Sequence, residues 1–428
     1  MAQREIQVDE RPPLLQSLPL SLQHLFAMFG STVLVPVLFG VDPATILLMN
    51  GIGTLLYIFS TKGKIPAYLG SSFAFISPVT VVLGKYSGLE GFSYALGGFF
   101  FIGVALVIFG IIIRFVGTGW ISVIFPPAAM GAIVAVIGLE ILPVGAQMAG
   151  LIKPAGAGQN WSPDTATITV SLLTLGITII CWVTMRGFLK IIPILLGIIA
   201  GYIISFFYGM VDFSQVAAAP WLTTPTFYHI KFNWQDIAII LPAAFVLLPE
   251  HIGHLIVTSN LVKKDLVKDP GLDRSILSNG VSTMISSLLG STPNTTYGEN
   301  IGVLAISRVY STWVIGGAAV FAILLSFCGK ISMLIRIIPA PVMGGISLLL
   351  FGIIAVSGLR MLVEAQVDYN KSQNLILTCV VLAIGVSGAT IHLGSVELKG
   401  MGLATIVAIV VSLFFKLLEV FKLTNDES

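Results

Sequence analysis

The chain has 428 residues, of which 56% are hydrophobic and only 10% charged, and its mean hydropathy is +0.98. Soluble globular domains carry about 25% charged residues, so the composition excludes a soluble enzyme or binding module and points to an integral membrane transport protein. The formal net charge of +2 comes without any basic cluster, which gives no footing for nucleic-acid binding.

The opening MAQREIQVDERPP carries both signs of charge and no apolar core. That predicts a short solvated cytoplasmic tail over residues 1–11 and not a cleavable signal peptide. Charge-free runs then recur at Pro12–Val41, Gly91–Ile113, Thr165–Met185, Ile191–Val211, Val309–Gly329, Ile337–Leu359 and Gly400–Phe415. Most match the roughly 20 apolar residues that a spanning helix needs. Set against charged and Pro/Gly-rich breaks, they predict fourteen segments. Seven centre near residues 30, 52, 74, 103, 130, 175 and 200, and seven near 246, 282, 298, 318, 348, 382 and 408. The 44 glycines suit such a bundle, because glycine lets membrane helices approach closely. Cys181, Cys328 and Cys379 are scattered and imply neither a disulfide framework nor a metal site. With a cytoplasmic N-terminus, sixteen of the 22 Lys and Arg, Arg4 among them, fall on the cytoplasmic side. Only Lys85, Lys153, Lys231, Lys330, Arg336 and Lys399 face the other side, so both termini are expected in the cytoplasm.

The two halves echo each other at one offset. Phe125-Pro-Pro-Ala-Ala-Met-Gly-Ala-Ile133 matches Ile338-Pro-Ala-Pro-Val-Met-Gly-Gly-Ile346, and Leu34-Val-Pro36 matches Leu247-Leu-Pro249. An odd number of segments per half makes the second copy enter the membrane from the opposite face, the inverted-repeat architecture of secondary transporters. The fold class expected is therefore an all-α polytopic membrane protein with fourteen segments in a 7+7 inverted repeat.

Two of the fourteen cannot be regular helices. Pro66–Pro78 holds two prolines and a Gly-Ser-Ser step, and Gly290–Gly302 (GSTPNTTYGENIG) is more polar still. Unpaired backbone in hydrocarbon costs several kcal/mol per group, so such segments are tolerated only around a watery cavity. Each is expected to carry a short extended stretch followed by a half-helix whose N-terminal amides face a solute. Glu250 and Glu299 fall deep inside predicted segments, where an ionisable group costs roughly 2.5–3.5 kcal/mol and is a functional candidate by default. The alternative is a structural carboxylate satisfied by a hydroxyl or backbone N–H. Glu140, at the end of its span, reads as an interfacial residue. His254 follows Glu250 by four residues on one helical face and is a candidate proton carrier, while a helix-packing histidine is the competing reading. His251 points elsewhere. EHIGH is not HExxH and lacks a third ligand, so metal is rejected. Two carboxylates facing backbone N–H donors suit a planar ring with N–H and carbonyl edges and disfavour an anion. No GxxxxGK[ST] loop is present for a primary pump.

The stretches Leu20–Gly30, Gly63–Pro78, Phe125–Glu140, Pro249–His254 and Gly290–Gly302, followed by Ser307-Arg308, resemble the nucleobase–ascorbate (nucleobase:cation symporter-2) family from about Arg11 to Lys422. The resemblance implies a core domain (12–115 and 236–330) and a gate domain (116–212 and 336–418), with a C-terminal cytoplasmic tail over 419–428. It implies proton-coupled import of uracil by alternating access, with no cofactor beyond the co-transported proton. A homodimer in the lipid bilayer of a bacterial inner membrane is implied as well. Carried over by position, Glu250 and Glu299 would take the N–H groups of uracil, and the amides at Phe73 and Gly298 its carbonyl oxygens. Phe73 and Tyr297 would lie near the ring, and His254, with Glu250, would couple protonation to binding. Xanthine- or urate-transporting relatives tend to carry Gln where Glu299 stands, so purines are the alternative solute, and anions such as sulfate or bicarbonate a more distant one. Ser307 replaces the usual Thr of the signature, leaving fine selectivity open.

Overall fold

The computed structural model describes residues 5–154, 158, 161–394 and 396–424. Arg4 and the rest of residues 1–4, and residues 425–428 of the C-terminal tail, lie outside them. The first half runs α1 (Leu14–Ala27), α2 (Phe29–Phe39), α3 (Pro43–Ser60), β1 (Leu69–Ser71), a 3₁₀ turn (Phe73–Phe75), α4 (Ile76–Leu83), α5 (Glu90–Val116), α6 (Gly119–Ile124), α7 (Pro127–Met148), α8 (Thr165–Thr184), α9 (Pro193–Phe207) and α10 (Ser214–Ala218). The second runs α11 (Trp234–Ile240), α12 (Ala243–Val262), α13 (Leu272–Leu288), β2 (Asn294–Thr296), α14 (Gly298–Ser307), α15 (Thr312–Ser326), α16 (Gly329–Arg336), α17 (Ala340–Glu364), α18 (Ser372–Val386), a hairpin of β3 (Thr390–Leu393) and β4 (Val396–Lys399), and α19 (Gly400–Val420).

Eight helical stretches among the described residues are long and apolar enough to cross a bilayer, and four shorter apolar helices accompany them. The protein is thus a predominantly helical, multi-pass membrane protein. Its starts follow local chemistry. Asp42 caps α3 by accepting the Ala44 N–H at 3.0 Å ahead of Pro43, and α7 and α17 start after Pro126 and Pro339, the equivalent residues of the sequence echo, with Pro127 and Pro341 in their first two positions.

Lipid tails are as apolar as leucine, so close packing rather than a hydrophobic drive must hold these helices together. Glycine provides it. A methyl at Gly131 in α7 would sit 2.8 Å from the carbonyl oxygen of Gly358 in α17, and one at Gly358 would sit 2.5 Å from that of Gly131. Gly145 meets Ser347 farther along, so the two equivalent helices run antiparallel. Gly103 of α5 and Gly280 of α13 are locked in the same way, each 2.8 Å from the other's carbonyl once a Cβ is added. Gly131→Leu or Gly103→Leu is expected to lower stability by at least about 1–3 kcal/mol, read as a lower melting temperature in detergent. A variant melting with the parent would show that these helices can part without cost.

Neighbour relations sort most helices into two bundles. In one, α1 and α3 pack on α15, and α5 packs on α13; in the other, α7 packs on α17, α18 and α19, and α8 packs on α9 and α17. Between α4 and α14 the chain is extended. There β1 and β2 pair antiparallel, Leu69 opposite Thr296, Gly70 opposite Thr295 and Ser71 opposite Asn294. Asn294 anchors the crossing, donating Nδ2 hydrogen bonds to Met49 O (3.0 Å) and Ser282 Oγ (2.9 Å) from a fully buried position.

Two features depart from expectation. The segment expected to be a solvated tail is docked: Ile6 N–H donates to Arg308 O (3.0 Å), Tyr310 N–H to Ile6 O (2.8 Å) and Thr312 N–H to Val8 O (3.1 Å). Val8 is buried, Lys263 and Lys264 pair with Glu5 and Asp9, and Arg11 lies over the Trp313 ring. The mixed charges that read as solvation are instead the outer side of a strap fastened by its backbone. The β3–β4 hairpin is the second departure, its strands pairing from Thr390–Lys399 to Leu393–Val396.

Candidate functional site

The two half-helices begin on either side of the strand crossing. Ser72 accepts the Ala74 N–H at 3.2 Å, and Phe73 opens the 3₁₀ turn that leads into α4. Gly298 opens α14 after Tyr297, whose side chain does not cap the helix. The N-terminal ends carry partial positive charge, which favours electronegative ligand atoms in front of them.

Glu250 lies on α12 directly after Pro249, half-buried, with its Oε2 enclosed and unpartnered. Glu299 lies in the first turn of α14, also half-buried and within electrostatic range of Glu250. His254, one turn beyond Glu250, makes a 3.0 Å Nδ1···Oγ1 hydrogen bond with Thr296 of β2. Its Nε2 lies 3.2 Å from the place a Cβ on Gly298 would occupy, so glycine there lets α14 begin against the imidazole. The structure therefore brings Glu250, His254, Gly298 and Glu299 together where the middle of α12 faces the start of α14. Phe73 joins from the opposite half-helix, its ring edge-on to Phe351 of α17 at 6.1 Å between centroids.

Tyr297 has a firmer tie than its place in the sequence suggests. Its hydroxyl donates to Ser71 O at 2.9 Å, its N–H donates to Tyr68 O at 3.0 Å, and its ring covers Gly70. It rivets the two strands. His251 points away from Glu250, as the helical periodicity requires. It sits in a buried chain in which its Nε2 is 2.7 Å from Ser275 Oγ, and that hydroxyl is 2.5 Å from Tyr57 OH.

Sequence reasoning missed several neighbours. Thr296 orients His254, and its only signal was membership of a polar run. Phe351 is the single aromatic residue of the apolar span α17, and nothing in the sequence around it signals a role. His24 lies in a stretch that resembles the family but received no role; it is buried, with Asn300 Nδ2 donating to its backbone carbonyl at 3.0 Å. Glu140, read as interfacial, is half-buried with both carboxylate oxygens engaged.

Opposed half-helices, paired strands between them and carboxylates in front define a helical membrane carrier. Solved structures with this fold include SLC26A9 (TM-score 0.69, 12% identity, 96% of this chain and 66% of that chain). The transmembrane domain of the cyanobacterial bicarbonate transporter BicA is another (TM-score 0.62, 13% identity, 97% and 99%). At such identities the likeness concerns the fold alone. The Permease family model matches residues 15–394, and the chain belongs to that family, the nucleobase–ascorbate transporters. It is similar to the uracil permease of Paenibacillus larvae, 63% identical over 426 residues covering 100% of both chains. Similarity extends to the uracil permeases of Escherichia coli (61%, 99% of this chain and 96% of that one) and Bacillus subtilis (49%, 92% and 91%).

Proposed function

We propose that the protein is a proton-coupled uracil symporter and not an enzyme, working by alternating access. The observation that carries this reading is the pair Glu250 and Glu299 set against the uncapped start of α14, in a chain whose relatives at 61–63% identity are named uracil permeases. Uracil offers N–H groups to the carboxylates and carbonyl oxygens to the amides at Phe73 and Gly298. Glu250 and Glu299 bind it, Phe73 walls the ring, and Tyr297 holds the strand that sets Gly298 in place. Two carboxylates held together at membrane depth cost free energy that a co-bound proton offsets, and His254 beside them hands that proton on.

The fourteen-segment, 7+7 reading is supported by the antiparallel run of the equivalent helices α7 and α17 and by the antiparallel pairing of β1 with β2. The division into a core domain (12–115 and 236–330) and a gate domain (116–212 and 336–418) draws support from the two groups of neighbouring helices. Placement in a bacterial inner membrane with both termini cytoplasmic, and a homodimer, complete the reading.

Reconstituted into proteoliposomes, the protein is expected to take up labelled uracil under an inward proton gradient and to stop when a protonophore is added. Uptake indifferent to the gradient would remove the coupling. A thermal-shift panel of uracil, xanthine, uric acid, adenine and sulfate checks the solute, since a true ligand at 100 Kd adds about 2.7 kcal/mol of stability. Stabilisation by a purine or by sulfate alone would replace uracil in this reading.

A further inference from the structure

Glu140 is a half-buried carboxylate on the apolar helix α7 that this reading leaves without work. Both its oxygens are taken by different parts of the molecule. Oε1 accepts the Ser77 hydroxyl, and Oε2 accepts the Met401 N–H at 2.7 Å. Ser77 stands in the first turn of α4, four residues beyond Phe73, and Met401 in the first turn of α19. Gly400 has φ +53° and lies so close that a Cβ there would fall on the carboxylate, so a glycine admits the contact. A carboxylate at the start of α19 also matches the positive end of that helix.

The connection is made at one level of the molecule. Beyond Ser77, α4 runs out to Lys85 and Tyr86, which bond Asp236 at 3.0 and 2.7 Å, so Glu140 lies between that layer and Phe73. It is carried by α7, and α7 and α19 belong to the bundle built around α17. One side chain thus ties the half-helix that leads from Phe73 to the opposite bundle. Across the site the arrangement differs: on α14, Gly298, Gly302 and Ile306 follow each other at one-turn spacing and are all exposed. No atom lies within 4 Å of a Cβ built on Gly302.

We propose that Glu140 is a positioning residue that latches α4 to α19 and keeps the face on the Lys85 side shut, and that its release accompanies opening of that face. The proposal rests on the transporter reading above, and its test uses no substrate, so a wrong solute or an absent proton coupling leaves the outcome legible. In a full-length background with Cys181→Ala, Cys328→Ser and Cys379→Ser, Met401→Cys is the reporter. It is buried, and cysteine keeps the N–H that Glu140 accepts. Right-side-out vesicles are treated with a membrane-impermeant maleimide. Glu140→Ala should raise the labelling rate of Met401→Cys by about tenfold or more, as expected when hydrogen bonds to a charged group no longer bias the closed state. Glu140→Gln, which keeps the volume and one acceptor oxygen, should give a smaller rise and carries the test if the alanine variant does not fold. Ala95→Cys, buried in α5, is the control and should stay protected. Unchanged labelling of Met401→Cys in both variants would overturn the latch. An equal rise at Ala95→Cys would overturn it too, because it would mean general loosening.

Discussion

Replacing Glu250 or Glu299 by alanine should weaken uracil binding by at least about tenfold. Each carboxylate supplies a charged acceptor in a site shielded from bulk water, and a hydrogen bond to a charged group contributes about 1.5–3 kcal/mol. Losing one therefore weakens binding roughly 10- to 150-fold, and more where the ring N–H stays buried without a partner. Glu250 carries the stronger expectation, because its Oε2 is enclosed and has no hydrogen-bond partner among the described residues. Equilibrium binding of labelled uracil to each purified variant is the measurement. An affinity of Glu250→Ala or Glu299→Ala equal to the parent's would take that residue out of the site. His254→Ala should separate the two activities, sparing binding while slowing uptake; equal loss of both would make His254 a scaffold for Thr296 only.

Asn294→Ala should be the most damaging substitution outside the binding groups. Its side chain fastens β2 to α3 and α13 through Met49 O and Ser282 Oγ, and all of these lie in the buried crossing. Alanine orphans those partners and opens a void against Gly53, whose missing Cβ makes room for the amide. The expected cost is about 2–4 kcal/mol, seen as a lower melting temperature in detergent. Uracil binding should fall with it, because the pairing of Ser71 with Asn294 sets how the two half-helices face each other. A variant that melts and binds like the parent would show that the strands hold their register without this anchor.

The parts of this molecule that sequence exposed are those that physics writes locally. Two prolines and a Gly-Ser-Ser step cannot continue a lipid-facing helix, so the break before α4 was visible, as was the polar run that became β2 and the start of α14. Glu250 stood out because charge is scarce in an apolar span. What stayed hidden depended on partners far along the chain. Glu140 lies near the end of a span, and nothing in α7 tells that Ser77 and Met401 meet it there. Phe351, the single aromatic residue of α17, looks like apolar filling of a span until Phe73 faces it. The sequence echo in α7 and α17 was legible, but its consequence was not: glycines of the two copies, Gly131 against Gly358, interlock them. The β3–β4 hairpin had a signal in its sequence, the alternation of β-branched and polar residues on either side of Gly394, which a reading of apolar runs does not weigh. The strap at residues 5–12 had none, since backbone hydrogen bonds leave no mark in side-chain composition.

That strap has a bearing on how the protein is made. Val8 accepts the Thr312 hydroxyl across a separation of 304 residues. At ribosomal rates of 5–20 residues per second, the segment waits roughly 15–60 s for its acceptor. During that interval the ends of α12 and α14, which carry Lys263 and Arg308, have still to emerge, so the N-terminal residues are unpaired while most of the bundle inserts. Closure of the strap is then a late step of assembly, sealing the ends of helices already in the bilayer. Bulky groups fused close to residue 5 would load that step and spare the earlier ones, leaving protein that is inserted but not fastened.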